Sequence, residues 1–335
     1  MERIGSHARR AGFTMIEIIV VIGIIGVLLA IMMPLLSGAR DSSLTAKCKN
    51  NMKNLALGAT SYAQGNSHGP GEFAAASLYR SLSYDLTPGR RRGKGVSYFP
   101  HRPWISNYGN CEELNNTKST AILGELVHFT DNDEQVRTAI TNGAVWKTSG
   151  ESFEIYRCPV HARAYEKANN GRLPGWSYVM NQEFGFNRDS QDVMSFFGAC
   201  YGGNITVSTD AAAAVDDKTK KRKKSASRSP DKVLLFAEVQ GANVSDSAHG
   251  VTLKAVLSGS DDKTDAVLEY TKEDMGFNHP MGKGKYGGNV AFADGHVDTI
   301  ILPRQMSIRD LTRYLCQGYD VPHDGSRYTP TSVDE

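Results

Sequence analysis

Three side chains of types that bind metal ions, His279, Asp294 and His296, lie near the C-terminal end of the sequence. Asp294 precedes Gly295, and an Asp-Gly pair between two apolar runs predicts a β-hairpin with a two-residue turn, both residues having positive φ. Such a hairpin could bring the three side chains together as metal ligands. The simpler interpretation is that Asp294 forms the turn and both histidines are polar surface residues, so we predict no metal here.

Carboxylate-rich segments at 131–134 and 261–262 offer the oxygen ligands that calcium prefers, but they lack the spacing of an EF-hand loop. Asp246 and His249 could join a metal site, although no pattern connects them to one. No sequence pattern typical of a Ser-His-Asp triad or a Cys-His pair stands out either. We therefore predict no cofactor and no enzymatic activity, and leave calcium binding open without a motif.

The glycine-rich segment 282–288 (GKGKYGG) is not a phosphate-binding loop, because neither lysine is followed by Ser or Thr. Basic runs at 90–94 and 218–224, the first followed by aromatic residues, are of a kind that can bind single-stranded nucleic acid. Runs of charge are more often solvated loops. The formal net charge of +2 is already carried by the first twelve residues, so the remaining chain is neutral. We therefore do not expect nucleic acid as a partner.

A near-continuous apolar run from Met15 to Leu36 contains one charged residue, Glu17. As a helix it would be about 33 Å long, which matches the hydrocarbon core of a bilayer. Arginines precede the run, and the positive-inside rule then keeps the N-terminus cytoplasmic and exports the rest of the chain. A cleaved signal peptide would have a shorter apolar run, and a plain signal-anchor would leave the carboxylate unexplained.

Residues 12–17 (GFTMIE), followed by this apolar run, resemble the prepilin signature of type IV pilins and type II secretion pseudopilins. The resemblance implies that prepilin peptidase cuts between Gly12 and Phe13, and that the new amine of Phe13 is methylated. It also implies that Glu17 pairs with the amine of a neighbouring subunit during assembly, and that Pro34 kinks the helix. Because an unpaired desolvated charge is costly, such a pair would set the register between subunits.

An amphipathic pattern follows Pro34. Apolar residues from Leu44 to Tyr62 recur at spacings of four and three, which predicts that the helix continues to about Gln64. We therefore divide the chain into a leader (1–12), a transmembrane helix (13–36), an amphipathic extension (37–65) and an exported head (66–335).

Within the head, the segment 232–239 (KVLLFAEV) predicts a buried strand, and Val290 and Phe292 are predicted to face the core from the hairpin. The region 66–230 is rich in Gly, Ser, Asn and Pro and predicts loops and short strands. With the long helix, these features resemble the pilin-like fold. We therefore predict an α+β protein whose N-terminal helix packs on a C-terminal antiparallel β-sheet.

Three short segments, 48–55, 156–159 and 177–181, are similar to a prepilin-like group with large heads. Cys48 and Cys158 lie in two of them, and on this similarity we predict a Cys48–Cys158 disulfide that ties the helix to the head. The chain has five cysteines and no Cys-x-x-Cys pair, so a zinc ribbon is unsupported. In an oxidising compartment five cysteines could form one or two disulfides.

The segment from His279 to His296 resembles the His-spacer-Asp-Gly tail motif of the same group. Fourteen residues separate His279 from Asp294, more than in that motif. We interpret the loop at 282–285 as an insertion, which leaves a shared role for His279 unsupported.

The sequence therefore predicts a structural subunit of a type II secretion pseudopilus or a type IV pilus-like filament. It would be a single-pass inner-membrane protein with its head in the periplasm or at the cell surface. Its partners would be prepilin peptidase, other pilin or pseudopilin subunits and the inner-membrane assembly platform. The alternative is a membrane-tethered surface protein that captures a polymer or DNA, and a secreted enzyme on the same anchor is a third possibility.

Overall fold

The computed structural model describes the long N-terminal helix and the segments that build the core of the head. The described residues are 14–65, 73–74, 76, 103–106, 132–182, 184, 195–197, 205–209, 226–241, 244–246, 251–253, 266–268, 273–281, 284–301 and 307–318. Gly12, Phe13, His249, both basic runs and the 261–262 carboxylates lie outside these ranges. The chain divides into two compact units, Met1–Leu44 and Thr45–Glu335.

Helix α1 (Met15–Gly65) is a single long element that ends one residue beyond the predicted Gln64. It continues without interruption through Pro34 and Ser37-Gly38, so the backbone does not unwind there. The bend expected at the proline stays a prediction. Its last part belongs to the second compact unit, which begins at Thr45.

Eleven strands are assigned in the described part of the chain. In chain order they are β1 (Tyr178–Asn181), β2 (Ser195–Phe197), β3 (Ile205–Thr209), β4 (Ala226–Arg228), β5 (Leu234–Glu238), β6 (Val244–Asp246), β7 (Val251–Leu253), β8 (Val267–Leu268), β9 (His279–Pro280), β10 (Tyr286–Phe292) and β11 (Val297–Ile301). Three strands, β2-β3-β4, form one small sheet, and β6 pairs with β7 in another.

The main sheet has six strands in the order β11-β10-β5-β1-β8, with β9 also paired to β10. Its pairs are antiparallel, as predicted, except that β8 lies parallel to β1, with Met180 opposite Val267. A parallel neighbour requires a long connection, and here six other described strands lie between β1 and β8 along the chain. The fold is α+β and pilin-like, with a mixed sheet.

The hydrophobic core of the second unit joins the helix to the centre of the sheet. The predicted apolar stripe of α1 is confirmed, because Cys48, Met52, Leu55 and Ala59 are fully buried. On the sheet, every residue of β5 is buried, as the sequence predicted for 232–239. Burial at a spacing of three and four along the helix is what an amphipathic helix on a sheet requires.

Among the described residues, two α-helices lie in the region predicted to hold loops and short strands, so that prediction was wrong. They are α2 (Asp133–Thr141) and α3 (Pro159–Ala168), and a 3₁₀ turn lies between them at Phe153–Tyr156. Asn132 caps α2 by accepting a hydrogen bond from the Gln135 backbone N–H at 2.9 Å. These helices are only nine and ten residues long, and short helices depend on tertiary packing more than on local pattern.

The C-terminal hairpin between β10 and β11 is confirmed, but its turn differs from the predicted type. Gly295 has a φ of 89°, whereas Asp294 is not among the residues with positive φ. The Gly295 N–H donates to the Phe292 carbonyl at 2.9 Å, and the Phe292 N–H donates to the His296 carbonyl at 2.9 Å. This pattern is a three-residue loop that ends in a left-handed glycine, so only one residue must accept positive φ.

Candidate functional site

The start of α1 forms a capping box between Thr14 and Glu17. The Thr14 backbone N–H donates to Oε2 of Glu17 at 2.7 Å, and the Thr14 hydroxyl donates to the same oxygen at 2.8 Å. In return, the Glu17 N–H donates to Oγ1 of Thr14 at 3.3 Å. A Thr with a Glu three residues later satisfies N–H groups that have no partner within the helix. Glu17 therefore has a local role at the helix start besides any pairing with another subunit.

The segment Met15–Met32 that follows is long and apolar enough to cross a membrane, judged by length and composition. Its large aliphatic side chains are about half exposed or more. An exposed helix that is apolar all round is consistent with a single-pass membrane anchor. The second candidate site lies elsewhere, inside the unit Thr45–Glu335.

Four side chains converge in the core of the second unit: Cys48, Cys158, Glu238 and His279. One potential ligand atom from each lies within 4.8 Å of the corresponding atoms of the other three. All four side chains are fully buried. They come from four different segments of the chain, so this cluster, which we call the Cys-Glu-His cluster, joins the helix to the sheet.

Local structure explains how each member reaches the cluster. Cys48 lies on the buried stripe of α1, and Cys158 immediately precedes Pro159, the first residue of α3. Glu238 is the last residue of β5 and lies opposite Tyr178 on β1. His279 opens β9 and lies opposite Gly287 on β10.

Glu238 is the centre of the cluster. Its Oε1 atom accepts a hydrogen bond from Nε2 of His279 at 2.9 Å and one from the Cys48 thiol, with 2.6 Å between Sγ and Oε1. The amide of Asn289 donates to the same oxygen at 2.9 Å, and that of Asn278 donates to Oε2 at 3.0 Å. A buried carboxylate is costly unless it is paired and hydrogen-bonded, and this one is both.

The hydroxyl groups of Thr45 and Tyr178 lie next to the cluster. Oγ1 of Thr45 lies 3.1 Å from Nδ1 of His279, so both ring nitrogens have a partner. The Tyr178 hydroxyl lies 3.1 Å from Sγ of Cys48. Since Thr45 and Cys48 are both on α1, two residues of the helix hold the site from the same side.

The imidazole of His279 and the carboxylate of Glu238 stabilise each other's charged form. Burial would lower the pKa of His279, but the Glu238 carboxylate and Cys158 raise it to about 10. Burial would raise the pKa of Glu238, but the His279 charge and the hydrogen bonds hold it below its usual value. Without an added ion, the cluster therefore contains a buried imidazolium–carboxylate pair.

The two thiols differ. Burial, reinforced by Cys158 and Glu238, raises the pKa of Cys48 well above its usual value. Burial acts in the same direction on Cys158, but the hydrogen bonds with Cys48 and His279 outweigh it and lower the pKa of Cys158. Cys158 is therefore the thiol that ionises more readily.

The grouping of His279 with Asp294 and His296, which was considered from the sequence and not favoured, is not what the structure shows. His279 is buried, so its interpretation as a surface residue was wrong, whereas His296 and Asp294 are partly exposed and contact each other at 2.6 Å. Asp294 also accepts a hydrogen bond from the His296 N–H, as expected of a turn residue. From Gly287, opposite His279, to the end of β10 at Phe292 the strand extends five residues, or about 17 Å, and Asp294 lies beyond it in the turn.

The remaining candidates have structural roles or stay predictions. Cys48 and Cys158 are neighbours in the cluster but have free thiols, so their disulfide stays a prediction. Asn132 and Asp133, from the acidic segment considered for calcium, form the start of α2. In the glycine-rich segment, Gly284 and Lys285 belong to the turn between β9 and β10, where the Met281 N–H donates to the Lys285 carbonyl.

Sequence reasoning missed the member at the centre of the cluster. Glu238 is the only ionisable residue between Val233 and Val239, and a lone carboxylate in an apolar strand is a signal for a buried, paired charge. Asn278 and Asn289 adjoin or lie within strands, where asparagine is depleted, and both donate to Glu238.

Comparison with known proteins identifies the N-terminal segment. The family model for the prokaryotic N-terminal methylation motif matches residues 7–33. Together with the apolar helix, this motif fits a type IV prepilin-like protein, which confirms the resemblance predicted from residues 12–17. Such a motif implies processing by prepilin peptidase and assembly with other pilin subunits, and it points to a structural family. No curated protein and no solved structure gives a significant match to the chain.

Proposed function

We propose that the chain is a structural subunit of a type II secretion pseudopilus or a type IV pilus-like filament, assembled through its N-terminal helix. The observation that carries this proposal is the methylation motif at 7–33 leading into a helix whose apolar side chains are exposed over Met15–Met32. In the membrane, lipid covers these side chains, and in a filament, neighbouring helices replace the lipid.

In this proposal the carboxylate of Glu17 has two successive partners. Within one chain it accepts the hydrogen bonds of Thr14. Cleavage after Gly12 creates an ammonium group on Phe13, and methylation preserves its charge. In the filament, Glu17 of one subunit pairs with this ammonium on the next, which fixes how deeply the new helix inserts.

The three arginines of the leader hold the N-terminus in the cytoplasm, and the head is exported to the periplasm or the cell surface. The partners in this role are prepilin peptidase, the inner-membrane assembly platform and further subunits. The unit Thr45–Glu335 is large for a subunit that only builds a filament shaft. We therefore favour a minor or specialised subunit over a major pilin.

The test is to express the full chain with a prepilin peptidase and an assembly platform, and to analyse the product by mass spectrometry. The expected N-terminal peptide begins with methylated Phe13, and a Gly12→Leu variant should keep its leader. An intact Met1 in the wild type, or a cut after Leu36, would end the proposal. A chain that is processed but never enters filaments would point instead to a membrane-tethered surface protein.

A further inference from the structure

We propose that Cys48, Cys158, Glu238 and His279 together bind one thiophilic divalent cation of the zinc class in the core of the unit Thr45–Glu335. The site lies wholly within the unit Thr45–Glu335, so the proposal does not depend on filament assembly. The ion would fasten the second half of α1 to β5, β9 and the start of α3.

The set of donor atoms fits this class of ion. Two thiolates, one imidazole and one carboxylate are ligands that zinc accepts, and four ligands complete the tetrahedral shell of a structural site. Atoms at zinc-ligand distances from a central ion lie roughly 3.3–3.8 Å apart, and the four atoms here all lie within 4.8 Å of one another. Glu238 starts closer to Cys48 and His279 than this, at 2.6 and 2.9 Å, and its side chain must move by about 1 Å.

The residues around the cluster are those that support metal ligands. A ligating histidine normally has its second nitrogen hydrogen-bonded, and here Nδ1 of His279 has Thr45 at 3.1 Å. The ligating carboxylate would be oriented by Asn278 and Asn289, whose amides already donate to it. Tyr178 can donate to the Cys48 thiolate from 3.1 Å.

Binding of the ion releases protons and changes the charge of the cluster. Zn²⁺ replaces one proton from each thiol and one from the imidazolium of His279. Two thiolates and a carboxylate then surround a dication, which leaves a formal charge of minus one. Asn278, Asn289 and Tyr178 are neutral donors, and their hydrogen bonds to the ligands stabilise this negative charge without adding a second buried cation.

A Cys48–Cys158 disulfide is the competing explanation of the two thiols, and it excludes the metal because oxidised sulfur is no longer a thiolate ligand. A disulfide would use two members of the cluster. It gives no reason for a fully buried carboxylate and histidine to lie against the same sulfurs with their own hydrogen-bonding partners. The metal site uses all four members and their partners.

The test uses the full chain, without a histidine tag, purified in detergent without chelators or reductants. Elemental analysis should find about one zinc per chain. Reloading the metal-free protein with Co²⁺ should give the visible spectrum of tetrahedral cobalt with thiolate charge transfer. Cys48→Ser, Cys158→Ser and His279→Gln should each lose the metal or reduce its affinity at least tenfold.

Cys316→Ser is the matched control, because Cys316 is also a buried cysteine but lies outside the cluster. It should leave the zinc content and the cobalt spectrum unchanged. A wild-type chain without metal, whether peptide mapping finds a Cys48–Cys158 disulfide or two free thiols, overturns the proposal. So does a zinc that survives the Cys48 and Cys158 substitutions. The wild-type measurements decide the question even if a variant does not fold.

Discussion

The imidazole of His279 lies 2.9 Å from the carboxylate of Glu238, and neither side chain is exposed to solvent. Removing one partner of such a buried pair strongly destabilises the folded protein, because the other charge is left without compensation. Such a pair also makes the core polar at one defined place, where the helix meets the sheet.

Glu238→Ala should lower the free energy of unfolding of the head by about 3–5 kcal/mol, the usual result of removing one partner of a buried pair. Glu238→Gln should cost less, since the amide keeps the shape and one acceptor oxygen. Urea unfolding of the full chain in detergent measures both. Glu166, exposed on α3, is the control, and Glu166→Gln should change the stability by less than about 0.5 kcal/mol. A Glu238→Ala chain as stable as the wild type would show that the pair does not stabilise the head.

Gly276→Ala should destabilise the head because the added methyl group meets backbone. A Cβ at this position would lie 2.6 Å from the Val239 carbonyl carbon and 2.7 Å from the Gln240 nitrogen. Backbone cannot move aside cheaply, so a loss of about 1–3 kcal/mol is expected in urea unfolding. Gly65→Ala is the matched control, since a Cβ there would have no neighbour within 4 Å among the described residues. Equal stability of the two variants would contradict the close packing at Gly276.

Glu17→Gln should be processed by prepilin peptidase but should enter filaments at least tenfold less than the wild type, because it removes the charge that pairs with the next subunit. Thr14→Val is the discriminating control. It removes the side-chain hydrogen bond to Glu17 but keeps the carboxylate. If the two variants assemble equally poorly, the helix cap and not the intersubunit pair controls assembly. Quantitative blotting of sheared filaments gives the measurement.

Tyr156 should make the head less stable at alkaline pH. Burial raises the pKa of this phenol to about 12, with a smaller opposing effect from Ser149. The unfolded chain loses the proton near pH 10, so the folded state binds more protons between about pH 10 and 12, and stability falls as pH rises through this range. Tyr156→Phe should flatten that part of the stability curve in pH-dependent urea unfolding. An unchanged alkaline slope would show that Tyr156 does not titrate as described.

The long helix and the hairpin were predictable because their signals are local. The alternation of buried and exposed residues from Cys48 to Ala59 and the Asp-Gly pair at 294–295 depend on neighbouring residues alone. The cluster was not predictable in this way. Cys48 and Glu238 are 190 positions apart in the sequence. Whether their side chains are in contact depends on the order of the strands in the sheet, which no local pattern specifies.

His279 shows the same limit from the other side. His279, Asp294 and His296 are close in sequence, but His279 lies opposite Gly287 near the start of β10, whereas Asp294 follows the end of that strand at Phe292. The partner of His279, Glu238, lies on β5, which pairs with β10 as β9 does. In the sequence this carboxylate was read only as part of an apolar run. Helix α4 (Ile308–Gln317) was also not predicted, although Ser307 and the left-handed Gly318 mark both of its ends.

The wide spacing of the cluster members along the chain has a consequence for the order of events during folding. These members come from an early helix, the middle of the chain and two late strands, so the cluster closes only after His279 has been synthesised and β9 has paired with β10. Contacts between such distant segments form late because long loops must close first. The cluster would therefore form at a late step of folding. A chain truncated before residue 279 lacks His279, so Cys48 and Glu238 are without this partner and the helix is not yet held to the complete sheet.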